Sequence, residues 1–263
     1  MNSITILGGR DKEGRAEELD FTCKRGEIVC IVGPTGAGKS RFLEDIECFA
    51  QGDTPTGRRV LVDGAAPPEE TRFESEKKLV SCLSQNMNFV MDLSVREFLA
   101  MHAEARGIQA GGVEDDSFIR RIAAAANALT GEAFELDTPV TRLSGGQSRA
   151  LMIADTAMLS PSPVVLIDEL ENAGVDREAA LNLLVSGEKI IIISTHDPAI
   201  ALLGGRRLCI RGGAVRGVFT TGEAERANAK IIAALNGRLL ELRRLLREGK
   251  TLDFNMEDFF SEH

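Results

Sequence analysis

A glycine-rich segment near residue 35 restricts the folds open to this chain more than any other part of its 263 residues. It directly follows Ile28–Val32, an almost wholly β-branched run that is typical of a strand covered on both faces. The segment fits the pattern G-x-x-x-x-G-K-[ST] and opens a helix that we predict to reach about Phe49. A strand, a glycine turn and a helix in this order predict a phosphate-binding loop. Its residues are Gly33, Pro34, Thr35, Gly36, Ala37, Gly38, Lys39 and Ser40.

The residue types in this segment suit a magnesium-bound nucleoside triphosphate. Glycines allow backbone N–H groups to wrap the β- and γ-phosphates, and the helix N-terminus adds positive potential. Lys39 contributes a point charge, and the hydroxyl of Ser40 can ligate Mg²⁺. The alternative is a glycine turn without a ligand, which the other motifs disfavour. We therefore expect ATP and Mg²⁺ as cofactors, and we include Arg41, the next residue, in the nucleotide site.

Two carboxylates follow a second apolar run. Val164–Ile167 predicts a buried strand, and Asp168 and Glu169 stand at its C-terminal end, where open α/β sheets bind ligands. Neighbouring strand residues point to opposite faces, so Asp168 can hold Mg²⁺ while Glu169 reaches a water aimed at the γ-phosphate. A solvated turn after a core strand is the other interpretation, and the phosphate loop upstream argues against it.

A second glycine-rich helix start lies at Leu143-Ser144-Gly145-Gly146-Gln147. Ser144 is placed to cap a helix that we predict to reach about Leu159. Alone, this is an ordinary helix start. An exposed helix N-terminus with a serine and two glycines is also an anion site, and one chain needs only one phosphate cradle. The motif therefore suggests a second subunit.

The remaining patterns predict an α/β protein with a mixed sheet. Ser3–Leu7 and Leu19–Cys23 alternate as strands at a sheet edge, and helical patterns replace strand patterns between Met87 and Arg142. The last predicted helix, Glu223–Glu248, carries one apolar stripe. The expected organisation is a nucleotide-binding core at 1–86 and 143–221, an inserted helical subdomain at 87–142 and a C-terminal helical extension with an acidic tail at 222–263. Further strands are predicted at Arg59–Val62, Lys78–Leu83, Lys189–Ser194, Arg206–Ile210 and Ala214–Phe219, further helices at Ser94–Arg106 and Asp116–Leu129, and the stripe at Ile231, Leu235, Leu239, Leu242 and Leu246.

Composition limits the partners. The chain has 31 Lys and Arg against 40 Asp and Glu, a net charge of −9, which argues against a nucleic-acid surface. It lacks an apolar run of the ~20 residues that span a bilayer and a basic segment followed by an apolar one at its start. We expect a cytoplasmic protein with no direct membrane insertion, peripheral to the membrane only through a partner. Its five widely spaced cysteines predict buried free thiols.

The phosphate loop, Leu143–Gln147, Asp168-Glu169 and Ser194-Thr195-His196-Asp197 resemble, in order and spacing, the nucleotide-binding domain of ATP-binding cassette (ABC) proteins. The resemblance extends from about residue 3 to residue 220, and Leu143–Gln147 is similar to the signature of that family. It implies a P-loop NTPase fold of the ABC type, with a mixed-sheet core, an inserted helical subdomain and a C-terminal helix.

The resemblance also implies roles for individual residues. Gln85 is similar to the glutamine that meets Mg²⁺ and relays to a partner, and His196 to the histidine that contacts the γ-phosphate beside the catalytic Glu169. Asp176 resembles the aspartate that closes the loop after the glutamate. Ser144, Gly145, Gly146 and Gln147 would contact ATP held by a second ABC subunit, expected to be an identical chain, with two ATP molecules bound head to tail.

The sequence departs from the family pattern in four places. Arg41 follows Ser40 where Ser or Thr is usual. Nine residues run from Asp168 to Asp176 where eight are common. The chain contains no Tyr or Trp to stack on adenine, and since Phe21 is assigned to a core strand, Arg10 or Arg15 is left for the base. The helix after the signature has Ala150 and Asp155 where arginines are common.

The site residues do not encode what ATP hydrolysis drives. Leu93–Leu99 resembles the segment after the Q-loop in import and export subunits, so we favour an ABC transporter ATP-binding subunit with a membrane permease partner. The alternative is a soluble ABC ATPase that remodels a cytoplasmic protein, such as a metalloenzyme, through ATP-driven closure. Arginines on the last helix could bind such a partner if it is acidic, although docking of that helix onto its own domain is the simpler expectation. A nucleotide sensor with little turnover is disfavoured by the presence of Glu169 and His196.

Overall fold

The computed structural model describes residues 1–73, 78–84, 89–108, 116–169 and 174–261. Within these ranges the chain forms nine strands in two sheets. Strands occur wherever an apolar run predicted one, with ends that shift by at most two residues. They are β1 (Ser3–Leu7), β2 (Asp20–Lys24), β3 (Ile28–Val32), β4 (Arg59–Val62), β5 (Val80–Leu83), β6 (Val164–Asp168), β7 (Ile190–Ser194), β8 (Arg206–Arg211) and β9 (Ala214–Thr220).

The larger sheet has the strand order β5-β6-β7-β3-β8-β9. Its neighbouring strands are parallel except for β8 and β9, which form an antiparallel hairpin, so the predicted mixed sheet is confirmed. Strand β3 is central, with Cys30 packed in one apolar core and Val29 and Ile31 in another. Because parallel strands end at the same edge, β3, β6 and β7 bring the loops that follow them together.

The alternating pattern of β1 and β2 predicted strands at the edge of the sheet. They do not form the edge of this larger sheet. They pair with β4 in a separate antiparallel sheet of order β2-β1-β4. Their alternating pattern explains the difference, since Ile4 and Ile6 are buried while Ser3 and Thr5 are partly exposed, as in an antiparallel sheet with one solvated face.

A buried ionic cluster joins the small sheet to the rest of the molecule. Arg58, just before β4, lies 2.7 Å from Glu17 and 3.0 Å from Asp45, and these side chains are fully buried. Its Nη2 also donates a hydrogen bond of 2.6 Å to the carbonyl of Gly213, in the turn between β8 and β9. Because removing one member would leave a buried charge unpaired, this cluster fixes the small sheet against the β8–β9 turn.

The described helices include each one that periodicity predicted, together with short helices that it did not. The helices that were not predicted are α2, α6, α7 and α9, of which three have six residues or fewer. In chain order the helices are α1 (Lys39–Glu47), α2 (Glu69–Phe73), α3 (Val95–Ala105), α4 (Ser117–Ala128), α5 (Gly145–Met158), α6 (Arg177–Val185), α7 (Pro198–Leu203), α8 (Glu223–Arg247) and α9 (Met256–Ser261).

Helices α3 and α4 follow β5 in the chain and share an apolar core with α5. The acid at position 155 on α5 has a local explanation. Asp155 is buried and accepts hydrogen bonds of 2.9 Å from both His102 of α3 and Arg106, the residue that follows α3. The basic groups thus lie on α3 and at its C-terminal end, and the acid lies on α5. The boundaries of the inserted subdomain and of the other predicted domains stay predictions.

Helix α8 packs against α7, but of the predicted stripe Leu242 is buried and the other four residues are exposed. Ala229 and Leu242 are buried, whereas Ile231 and Leu246 are 53% and 58% exposed, and Leu235 and Leu239 are also exposed. The α8–α7 contact agrees with docking onto the chain's own domain. Small alanine side chains at the contact let the helices approach, which the spacing of larger apolar residues did not reveal.

The five cysteines are free thiols, and the expectation that they are buried holds only in part. Cys23 and Cys30 are buried, Cys209 is intermediate, and Cys48 and Cys82 are exposed. Desolvation raises the pKa of Cys23 to about 12, so its thiol stays protonated at neutral pH.

Candidate nucleotide site

The phosphate loop has a backbone that only glycine accommodates. Gly36 and Gly38 have φ of 75° and 106°, in the left-handed region. A Cβ added at Gly33 would lie 2.3 Å from the carbonyl oxygen of Ile210, and one at Gly38 would lie 3.1 Å from the Cα of Gly213. The glycines therefore allow the loop to turn tightly against the β8–β9 hairpin before α1 begins at Lys39.

The Lys39 ammonium lies inside this loop. It donates to the carbonyl oxygens of Gly33 and Pro34, at 2.9 and 3.3 Å, and lies 3.0 Å from Nε2 of His196. An ammonium only donates, so Nε2 of His196 accepts in this arrangement. The structure thus joins the lysine after β3 to the predicted histidine after β7.

The two carboxylates after β6 have different surroundings. Asp168 ends the strand and accepts a hydrogen bond of 3.3 Å from the Ser40 hydroxyl. Glu169 lies beyond the strand, in the left-handed region with φ 54°, and its Oε1 is 3.5 Å from Nε2 of His196. The separation of the two carboxylates therefore comes from this backbone turn as well as from strand alternation. A non-glycine residue held at positive φ is a frequent feature of functional sites.

Lys39, Ser40, Glu169 and His196 line one cavity of about 620 Å³, whereas Asp168 does not line it and contacts it through Ser40. The catalytic candidates Glu169 and His196 lie at one part of its wall, and the phosphate loop forms another. Arg41 lines the cavity and pairs with Glu44 at 2.9 Å. The rest of the wall comes from two loops and the β8–β9 turn, where only Arg10 was a sequence candidate. The full set is Arg10, Asp11, Lys12, Thr35, Gly36, Gly38, Lys39, Ser40, Arg41, Pro55, Thr56, Glu169, His196 and Gly213.

The residues present fit a magnesium ion. Mg²⁺ prefers oxygen ligands and is commonly held by one or two protein groups together with substrate phosphates. The Ser40 hydroxyl and the Asp168 carboxylate supply two such oxygens, already within hydrogen-bond distance of each other beside the phosphate loop. Gln85, the third predicted ligand, lies outside the described residues.

The loop at residues 10–16 forms the wall next to the phosphate loop. Lys12 donates from Nζ to the carbonyl of Gly36 at 2.7 Å. Buried Asp11 accepts hydrogen bonds from the backbone and guanidinium of Arg15 and from Arg216. Burial opposes the ionisation of Asp11, but these hydrogen bonds outweigh it and hold its pKa well below the ordinary value. The carboxylate is therefore charged and fixes the loop at neutral pH.

Arg149 is a residue that sequence reasoning missed. It lies buried on α5, and its guanidinium donates to the carbonyls of Glu169 and Ser84, at 3.2 and 3.1 Å. It therefore connects the signature helix to the backbone of the catalytic candidate and to the strand end before residue 85. Only its position directly after the signature, on a helix face turned inward, could have pointed to it.

The signature residues do not line this cavity. Ser144 and Gln147 form a reciprocal cap at the start of α5, with the Ser144 hydroxyl accepting from the Gln147 amide at 3.2 Å. Gly145 is open to solvent on its Cβ side, and Gly174 approaches Gly146. Asp176 caps α6 by accepting from the amide of Ala179 at 3.0 Å, and it also lies away from the phosphate loop cavity.

Comparison with known proteins places this arrangement in a family. The model of the family described as ABC transporter matches residues 16–172. The chain belongs to the ABC transporter family. An uncharacterised ABC transporter ATP-binding protein from Methanocaldococcus jannaschii is 47% identical over 253 residues, which cover 96% of this chain and 95% of that protein.

Solved structures show the same fold. CbiO1 from Clostridium perfringens, described as part of the ABC transporter complex CbiONQ, matches with a TM-score of 0.62 and 24% identity, over 94% of this chain and all of that one. A dimeric ATP-binding cassette in a post-hydrolysis state, bound to ADP and Pi, matches with a TM-score of 0.59 and 20% identity, over 83% and 99% of the two chains.

Family membership makes this chain an ABC-type ATPase, and it identifies the cavity beside Gly33–Ser40 as the candidate ATP site. The predicted fold class is confirmed. None of the helices in the described part of the chain has both the length and the apolar content to cross a membrane.

Proposed function

We propose that this ABC ATPase hydrolyses Mg·ATP at an interface between two subunits arranged head to tail. One observation carries the proposal. The γ-phosphate side of the cavity has Lys39, Glu169 and His196 joined by contacts of 3.0 and 3.5 Å, whereas the signature at Ser144–Gln147 does not line that cavity. A second subunit brings a signature to the open side of each cavity.

In this proposal the loop binds the phosphates before any chemistry occurs. Lys39 exchanges its carbonyl partners, Gly33 and Pro34, for phosphate oxygens. This replaces neutral acceptors with charged ones, and charge-assisted hydrogen bonds are roughly twice as strong as neutral ones. Ser40 and Asp168, with Gln85 as the further predicted ligand, would hold Mg²⁺, which would supply positive charge beside the phosphates. Arg41 and the loop amides complete the phosphate contacts.

Glu169 acts as the general base for the attacking water. Its backbone amide donates to the carbonyl of Ser194 at 3.0 Å, which ties it to the strand that leads to His196. His196 then contacts the γ-phosphate and holds the Glu169 carboxylate at the correct side of it. A fixed base within hydrogen-bond reach of the water contributes about 10²- to 10⁴-fold to the rate.

Closure depends on the γ-phosphate, because it is the group that reaches both the phosphate loop and the partner's signature. ADP lacks that group and does not stabilise the closed pair, so hydrolysis reopens it. Arg177, which follows Asp176 at the start of α6, forms an ion pair with Asp197, next to His196. This ion pair connects the residue after Asp176 with the residue after the catalytic histidine, His196.

ATP hydrolysis is expected to drive transport through a membrane permease, with this chain at the cytoplasmic face as the ATP-binding subunit. Family membership and the relative from Methanocaldococcus jannaschii, which is named an ABC transporter ATP-binding protein, support this role. Exposed Val90 and Met91, just before α3, supply an apolar surface for a partner. The alternative, remodelling of a soluble protein, draws on the exposed apolar side chains of α8.

Glu169→Gln tests the hydrolytic site. Replacing the carboxylate with an amide removes the base but keeps the shape, so ATP affinity should persist while turnover falls by at least ~10²-fold. Closed dimers should accumulate with ATP and not with ADP. Steady-state phosphate release and analytical ultracentrifugation measure both effects, and unchanged turnover would remove Glu169 from this role.

The same variant identifies the partner on which ATP hydrolysis acts. ATP-locked Glu169→Gln, used as bait in a native extract with solubilised membranes, should retain an integral membrane protein that the Lys39→Ala variant does not. Recovery of a reproducible soluble partner without a permease would favour the remodelling function instead.

A further inference from the structure

Among the described residues, the wall of the cavity beside the phosphate loop contains no Phe, Tyr or Trp side chain. Three of the wall positions come from the 10–16 loop, Arg10, Asp11 and Lys12, and two from the segment before β4, Pro55 and Thr56. Glu169 and His196 mark the γ-phosphate end, so these five residues belong to the end that receives the nucleoside.

Arg10 lines the cavity and has no carboxylate partner within the described part of the chain, whereas three neighbouring arginines are paired. Arg15 is paired with Asp11 and Glu13, Arg41 with Glu44, and Arg216 with Asp11. The guanidinium of Arg10 is therefore available to a ligand, while its neighbours are already engaged.

The backbone that carries Arg10 is fixed. Its amide donates to the carbonyl of Thr56 at 2.7 Å, and Arg10 and Ala16 form a bridge that closes the loop. The charged Asp11 carboxylate accepts from the amides of Glu13 and Arg15, each at 2.9 Å. Arg10 is thus held on a prepared loop beside exposed Pro55 and does not have to be ordered by the ligand.

We propose that Arg10 holds the nucleotide base by stacking its planar guanidinium on it, with Pro55 as an apolar contact, and that this site accepts guanine as well as adenine. The inference rests on the proposed function, since it concerns the same site. Stacking uses the π-face that every base has, so it does not select a base.

Binding of ADP, GDP and inorganic pyrophosphate by titration calorimetry tests this without any turnover. The Kd values of ADP and GDP should agree within about threefold, because stacking supplies most of the base contact. Arg10→Ala should weaken both nucleotides by about 10-fold and leave pyrophosphate unchanged, since a cation–π contact of ordinary strength has that effect. Arg10→Lys should resemble Arg10→Ala, because it keeps the charge and loses the plane.

Arg59→Ala is the matched control. Arg59 is exposed on β4 in the same part of the molecule and does not line the cavity, so its removal should change none of the three Kd values. A preference for ADP over GDP greater than about 10-fold, or an unchanged nucleotide affinity in Arg10→Ala, overturns the proposal. Equal weakening of pyrophosphate would also overturn it, because Arg10 would then be a phosphate ligand. Intact diphosphate binding in a wild-type protein that does not hydrolyse ATP would count against the proposed function alone.

Discussion

Two glycine-rich segments of this chain each open a helix, yet their surroundings are opposite. At Gly33–Ser40 neighbouring backbone approaches so closely that a Cβ at Gly33 would lie 2.3 Å from a carbonyl oxygen. At the start of α5, a Cβ added at Gly145 would meet nothing within 4 Å. The first segment is folded around a cavity that already contains a lysine, and the second is an open helix end.

The difference extends to the polar groups. Lys39 is held by carbonyls that a phosphate can displace, and the cavity also contains Glu169 and His196. At the signature, Ser144 and Gln147 satisfy each other, and the Gln147 side-chain amide donates to the carbonyl of Glu132 at 3.1 Å. Under the proposed function, similar local sequence thus gives one site that binds phosphate alone and one that meets a phosphate held by another chain.

The largest expected effect comes from placing a charge at the open helix end. Gly145→Asp should leave the fold and the ATP affinity of the single chain intact, since the position is open and an acid suits a helix N-terminus. It should reduce turnover by at least ~10²-fold, because the carboxylate repels the γ-phosphate presented by the partner, and preorganised electrostatic contacts have effects of that size. Gly145→Asn, of the same size without the charge, is the control and should lose far less activity.

Mixing variants shows whether the two segments act across chains. Lys39→Ala should weaken ATP binding by roughly 10- to 100-fold through loss of charged hydrogen bonds. Neither Lys39→Ala nor Gly145→Asp should hydrolyse ATP well alone, but an equal mixture should recover phosphate release, because mixed dimers contain one intact pairing. No recovery in mixtures shown to contain mixed dimers would contradict the head-to-tail arrangement.

The contrast between the two segments is partly visible in the sequence. A β-branched strand before Gly33, with a lysine and a serine at fixed positions after it, is sufficient to predict a phosphate loop. The same reasoning predicts the neighbouring strands, since strands buried on both faces leave continuous apolar runs such as Ile190–Ser194. The position of Ser144 before its helix likewise predicts a cap, and the observed hydrogen bonds confirm it.

Other parts depend on contacts between distant residues. Arg149 has an ordinary local sequence, and only packing shows that it reaches the carbonyls of Ser84 and Glu169. The short helix α7 does carry local signals, because Asp197 caps it and Pro198 stands at its first position. Six residues are too few for a helical period to be recognised. Helix α8 shows the opposite case. Its large apolar residues follow a clear helical period, yet most of them are exposed.

A smaller effect is expected from Arg149, which connects the two regions. Arg149→Met removes the donor to the Glu169 carbonyl and should lower turnover by about 30-fold, since small displacements of a catalytic group cost up to ~10²-fold. ATP affinity should change little, because this residue does not line the cavity beside the phosphate loop. Arg149→Lys keeps the charge with one donor group and should lie between wild type and Arg149→Met. Equal losses in ATP affinity and turnover would show a general loss of structure instead.

The smallest effect separates capping from catalysis at the open helix end. Ser144→Ala removes one half of the cap of α5, and Ser94→Ala does the same at α3, where Ser94 and Glu97 form an equivalent reciprocal cap. Each should lower the free energy of unfolding by about 1 kcal/mol, measured by urea denaturation. Only Ser144→Ala should also reduce turnover, by about fivefold, because its hydroxyl contacts the partner's ATP as well as its own helix. If both variants reduced turnover equally, the serine at the signature would act through helix stability alone. That result would contradict a direct contact between Ser144 and the partner's ATP.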